Sequence, residues 1–316
     1  MLPRRRTRSR AAAVAAVLLL SAATACGQPA SGFSDGRLDV VTAFYPLQFL
    51  AERVGGDAVR VTQLTKPGAE PHDVELNPRQ VGRVSTAGLV VYLAGFQPAV
   101  DQAVDLEAKD RAFDAGAAVD LLPAEEHHEE EHTPGEEEHA EAGDGADPHV
   151  WLDPARYATI AGKLAERLGQ ADPAHAAAYA ARAETLRTDL EKLDGEYEKA
   201  LATCARREIV TSHAAFHYLA DRYALTEVAI TGISPEAEPS PQRLAHVAEE
   251  ARATGTTTIF FETLVSPKVA ETLAREVGAA TAVLDPIEGV TEPGADYFTV
   301  MRANLAALTT ALGCTS

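Results

Sequence analysis

The sequence predicts an α/β protein of two lobes, each a parallel sheet flanked by helices, joined by one long helix. Three observations carry this. Short β-branched runs alternate with helical patterns in both halves of the chain, as parallel strands with crossover helices do. An Ala-, Glu- and Arg-rich stretch over 173–203 separates the halves and has almost no breakers apart from Gly195. About 280 residues remain once a leader and tether are set aside, enough for two lobes with separate cores.

In the first half, Leu38–Phe44, Val59–Leu64 and Leu89–Leu93 read as strands, the last a continuous apolar run as expected of a strand buried on both faces. Pro46–Val54 and Pro78–Ser85 read as helices, and Asn77 before Pro78 is a natural cap. In the second half, Glu208–Thr211, Glu227–Ile230, Thr257–Phe261 and Ala282–Leu284 read as strands. His213–Tyr223, Pro241–Ala253, Pro267–Val277 and Tyr297–Leu312 read as helices. The middle stretch is either one long helix or a helical hairpin broken near Gly195.

The first 25 residues read as a signal peptide. Arg4, Arg5, Arg6, Arg8 and Arg10 precede the apolar run Ala11–Leu20, and Ala23-Thr24-Ala25 supplies small residues before Cys26. The apolar run is too short for a stable membrane span. Cys26 after a small-residue cleavage site resembles a lipobox, with Ala23 where Leu is usual, so lipidation of Cys26 is expected. Cys204 and Cys314 then remain, and an oxidising compartment favours a disulfide between them. The expected domains are signal peptide 1–25, tether 26–37, N-terminal lobe 38–172, linking helix 173–203 and C-terminal lobe 204–316.

The formal charge of −19 becomes more negative by five when the leader arginines are removed. Such a balance excludes nucleic acid and anionic membrane surfaces as partners and suits attraction of cations. An acidic insert at 125–147 carries His127, His128, His132 and His139 among eleven acids and no Lys or Arg. It cannot bury a core and is expected to be a mobile loop that collects cations weakly.

Four positions place a metal-ligand residue in a loop at the carboxyl end of an expected strand, where ligands of open α/β sheets gather. They are His72, His149, His213 and Asp285, two in each half. Three imidazoles and one carboxylate make a tetrahedral zinc set, whereas a more oxygen-rich set suits manganese. Glu70, two residues before His72, is a further candidate. So is His217, four residues after His213 and on the same face of the expected helix.

The segments GAEPHDVEL (68–76), DPHVWLDP (147–154), VTSHAAFHYLA (210–220), SPEAEPSP (234–241), FFETLVSPKVAETLAREVG (260–278) and LDPIEGV (284–290) span nearly the whole chain past the leader. In this order they resemble the zinc/manganese-specific solute-binding lipoproteins of ABC importers. The resemblance implies two α/β lobes with metal in the cleft, and His72, His149, His213 and Asp285 as its ligands. It implies Zn2+ as cargo, with Mn2+ the alternative; His213 and the His-rich insert both point to zinc. It implies an exported monomer, lipid-anchored at the outer face of the cell membrane, that delivers metal to an ABC permease and its ATPase. Rival readings are a zinc hydrolase and a surface adhesin. No HExxH and no G-x-S-x-G occurs, and HAAFH lacks the Glu beside its first His, so no enzymatic activity is expected.

Overall fold

A computed structural model describes residues 32–124 and 145–315. Cys26 and the insert histidines His127, His128, His132 and His139 lie outside the described residues, as do the leader and residues 26–31 of the tether.

The chain opens with a two-residue strand, β1 (Phe33–Ser34), which turns back antiparallel onto β2 (Arg37–Thr42). Strand β1 and the first residue of β2 thus fall inside the stretch expected to be tether. Helix α1 (Tyr45–Gly55), strand β3 (Val59–Gln63), helix α2 (Pro78–Thr86), strand β4 (Leu89–Tyr92), helix α3 (Pro98–Glu107) and strand β5 (Ala112–Asp114) complete the first sheet. Its parallel strands lie in the order β3-β2-β4-β5. Asn77 caps α2 by accepting from the backbone of Arg79 and Gln80, and Gln80 accepts the Asn77 N–H in return, so two otherwise unpaired donors are satisfied at once.

Helix α4 (Pro154–Ala171), capped by Asp153, packs along α5 (Ala176–Leu201). Helix α5 runs unbroken through Gly195, about 39 Å at 1.5 Å per residue; of the two readings of this stretch, the single helix is the one formed. Its buried residues Tyr179, Ala183, Leu186, Leu190, Leu193, Tyr197 and Leu201 recur every three or four positions, a stripe along one face. Helices α3 and α4 and strand β5 were not expected from the sequence.

The second sheet repeats the topology of the first. Strand β6 (Glu208–His213), helix α6 (His217–Tyr223), strand β7 (Thr226–Thr231), helix α7 (Pro241–Thr254), strand β8 (Thr258–Phe261), helix α8 (Lys268–Val277), strand β9 (Ala280–Val283) and helix α9 (Tyr297–Leu312) follow in turn. All four strands are parallel, in the order β7-β6-β8-β9. The helix expected from His213 starts only at His217; His213 itself is paired with Thr231 at the end of β6.

The lobes do not have separate cores. One apolar cluster runs from β2 and α1 through α4 and α5 to α6 and α9, including Phe44, Trp151, Tyr157, Leu190, Tyr218, Ile287 and Met301. A second, smaller cluster packs α7 and α8 on the other face of the second sheet, around Val210, Val247, Ile259 and Leu273. The reason is α5 itself: its apolar stripe is long enough to be covered by both lobes. The disulfide Cys204–Cys314 is present, and it joins the segment after α5 to the residues after α9.

Candidate metal centre

In both sheets the third strand in sequence pairs with the first on the side opposite the second, so each has a crevice at its carboxyl edge where the winding reverses, the usual ligand position in such sheets. His213 is the last residue of β6, and Glu262 follows directly after β8, the two strands flanking the second crevice. Phe44 and Phe96, which follow β2 and β4, line the first with ring centroids 4.5 Å apart. His72 lies in the loop after β3, its ring edge-on to Phe96 at 4.4 Å. His149 opens the turn before α4, held by its N–H donating to the Asp147 carboxylate at 2.9 Å.

His72, His149, His213 and Glu288 meet between the lobes, with one donor atom of each within 4.8 Å of the others. All four are buried. The Glu288 Oε1 atom stands 3.2 Å from His72 Nε2, 3.2 Å from His149 Nε2 and 3.4 Å from His213 Nε2. Behind this ring, Asp147 Oδ1 lies 2.8 Å from His149 Nδ1, and Glu262 Oε1 lies 2.8 Å from His213 Nδ1. Ser212 Oγ donates to the same Glu262 oxygen at 2.8 Å. A carboxylate on Nδ1 fixes the tautomer that leaves Nε2 free to coordinate and raises the basicity of the ligand.

The electrostatics follow from crowding. Burial pulls the His149 imidazole down, but the Asp147 and Glu288 carboxylates outweigh it and hold it at about 9. His213 is likewise lifted well above the ordinary imidazole value, Glu262 and Glu288 overcoming its burial. Burial pushes the Glu288 carboxyl up, yet hydrogen bonds from the three imidazoles bring it well below the usual carboxylate range. Without metal, His149 and His213 are held in the protonated form beside an ionised Glu288, and a divalent cation must displace those protons.

Three of the four expected ligands converge and Asp285 does not join them; the fourth donor is Glu288, three residues on. The Asp285 carboxylate is engaged by backbone and hydroxyl. It accepts Ile287 N–H at 2.7 Å and Thr263 Oγ at 2.9 Å, while Asn304 bonds both backbone groups of Asp285. This closes a tight turn in which Ile287 takes φ +62°, and the turn carries Glu288 into the cleft. The segment LDPIEGV contains both acids, and no spacing rule distinguishes them.

Glu70 accepts the His72 N–H at 3.0 Å and its carboxylate lies 3.9 Å from His72 Nε2, beside the centre; burial raises its pKa. His217, at the start of α6, faces the far oxygen of Asp147 at 3.6 Å, behind His149 rather than among the converging donors. The sharing of a helix face by His213 and His217 fails because β6 continues to His213. Asp147 and Glu262, which orient two of the imidazoles, were not singled out in the sequence, although both lie in segments quoted above.

The family described as zinc-uptake complex component A, periplasmic (ZnuA), matches this chain over residues 40–311. The zinc-binding protein AdcA of Streptococcus pyogenes serotype M3 is 38% identical over 288 residues, covering 87% of this chain and 56% of its own length. The chain thus spans little more than half of the streptococcal relatives it matches. The high-affinity zinc uptake system protein ZnuA of Bacillus subtilis is 33% identical over 307 residues, covering 93% of this chain and 94% of its own. The Zn(II)-bound ZnuA-like domain of Streptococcus pneumoniae AdcA superposes with a TM-score of 0.73 at 33% identity, covering 88% of this chain and 99% of the other.

Proposed function

We propose that this chain, which belongs to the periplasmic zinc-uptake complex component A family, captures Zn2+ between its lobes and delivers it to an ABC-type membrane importer. The observation that carries the reading is the convergence of three imidazole Nε2 atoms with the Glu288 carboxylate. A His3Glu set is nitrogen-rich, which favours zinc over manganese. Four protein donors close a tetrahedral set and leave no position for activated water, which supports binding rather than hydrolysis. Glu70 serves as an additional oxygen donor during loading and release, while His217 supports Asp147 from outside the donor set.

Lipidation of Cys26 anchors the chain at the outer face of the membrane. The acidic insert gathers zinc through His127, His128, His132 and His139, and the permease with its ATPase drives release. Among the described residues no helix is long and apolar enough to cross a membrane.

Competition with a zinc chelator tests the donor set. Glu288→Gln and His213→Ala should each lose tight binding of one Zn2+, whereas Asp285→Asn should retain one ion at reduced affinity. Loss of tight binding in Asp285→Asn but not in Glu288→Gln would reverse the assignment. A variant lacking 125–146 should keep its tight site; if it did not, the insert would be the primary site.

A further inference from the structure

We infer that Trp151 is a positioning residue for the metal: it reaches from the N-terminal lobe to the loop carrying Glu288 and holds that carboxylate in register with His149. The inference rests on the reading of the cleft as a metal site. Trp151 lies two residues beyond His149, in the short 3-10 turn Val150–Leu152. Its ring packs edge-on against the touching pair Phe44 and Phe96, with centroids at 5.0 and 5.7 Å, and lies 5.3 Å from the His149 ring. The indole N–H donates to the Pro286 carbonyl at 2.7 Å, and the Trp151 carbonyl accepts the Tyr297 hydroxyl at 2.7 Å.

The Pro286 carbonyl lies two residues before Glu288, next to the point where the loop is hardest to hold. Ile287 is buried, β-branched and at φ +62°, a conformation that persists only when its surroundings impose it. The bonds from Asn304 and Thr263 grip Asp285 from within the C-terminal lobe. The Trp151 bond comes from the other lobe. It links the Glu288 turn to the same short segment that carries His149, so the placement of one donor constrains the other. A ligand placed without such a restraint binds more weakly because its ordering is charged against the metal.

A double-mutant cycle tests this. Zn2+ affinity is measured by chelator competition for the wild type, Trp151→Phe, Glu288→Gln and the double variant. Phe keeps the aromatic packing and removes the N–H. Loss of one buried hydrogen bond corresponds to about tenfold in an equilibrium, so Trp151→Phe should weaken Zn2+ about tenfold. In the Glu288→Gln background it should weaken Zn2+ less than about twofold, because the residue acts through Glu288. The Co2+ form of Trp151→Phe should show altered d–d absorption, which a purely structural residue would leave unmoved. Equal weakening in both backgrounds, or unchanged affinity in Trp151→Phe, would overturn the inference. Wild-type affinity in Glu288→Gln would instead sink the donor assignment beneath it. Should Trp151→Phe not fold, Tyr297→Phe, which frees the Trp151 peptide, goes through the same cycle with the same two outcomes.

Discussion

His149 and His213 each have one carboxylate behind the ring and another in front of it. That arrangement makes zinc binding a proton exchange. His149 is held at about 9 by Asp147 and Glu288 against its burial, and His213 is raised as well. At pH 7.5 the metal-free centre therefore carries protons that Zn2+ must expel, and affinity should climb with pH until about 9 rather than levelling off near ~6.5, the ordinary imidazole value. Calorimetry of Zn2+ binding in buffers of different ionisation enthalpy should show net proton release, and a heat independent of the buffer would contradict this. The sign for stability is the opposite. A folded-state pKa raised above the unfolded one stabilises the metal-free fold fully below ~6.5, and this contribution is lost as pH rises through about 9. Urea midpoints of the metal-free protein should fall across that window relative to His149→Gln. Asp147→Asn and Glu262→Gln should each weaken Zn2+ about 10–100-fold while leaving one ion bound, as a chelator titration would read.

At the scale of elements, α5 is built from strong helix formers around one weak residue. Gly195 is exposed on the helix surface, and a Cβ there meets nothing within 4 Å. Gly195→Ala should therefore stabilise the protein by roughly 0.5–1 kcal/mol, and a lower urea midpoint would show that the glycine relieves a bend. The cap of α2 sits on the loop that carries His72: Asn77 closes the helix start, and Gln80 also donates to the Leu64 carbonyl at 2.8 Å. Asn77→Ala should cost about 1 kcal/mol. These two effects involve no donor atom, so Zn2+ stoichiometry should stay at one in both variants.

At the scale of the whole molecule, the shared core makes the two lobes one cooperative body, with α5 as the strut that both lobes bury. The disulfide adds to this. Cys204 and Cys314 are 110 residues apart in sequence, so the bridge closes nearly the whole second lobe into a loop. Replacing both cysteines by Ser should cost about 2–5 kcal/mol, consistent with the loop-closure value of about 4.7 kcal/mol for 100 residues. Because the bridge joins the ends of α5 and α9, away from the donors, Zn2+ affinity of the folded variant should be unchanged; a fall in affinity would mean the bridge also sets the cleft.

Periodicity and punctuation determined the fold class and most of its strands by themselves. Alternating β-branched runs and helical stripes forecast eight parallel strands less β5, and the linking helix, because burial on both faces of a sheet leaves a local trace in the chain. Ligand chemistry was also legible in part: His213 ends β6 and His72 lies in the loop after β3, positions that topology assigns, whereas His149 lies in the turn before α4 and not at the end of a strand. The rest was decided in three dimensions. Helices α3 and α4 lie outside the pattern expected from the sequence, and α5 draws both lobes into a core that a count of residues divides in two. Asp285 and Glu288 are three residues apart in one loop, and residue type does not separate them. Asn304, Thr263 and the Ile287 amide, distant or local, engage the first and turn the second inward. A carboxylate can serve a backbone turn or a metal, and which it serves depends on neighbours that only the folded chain supplies.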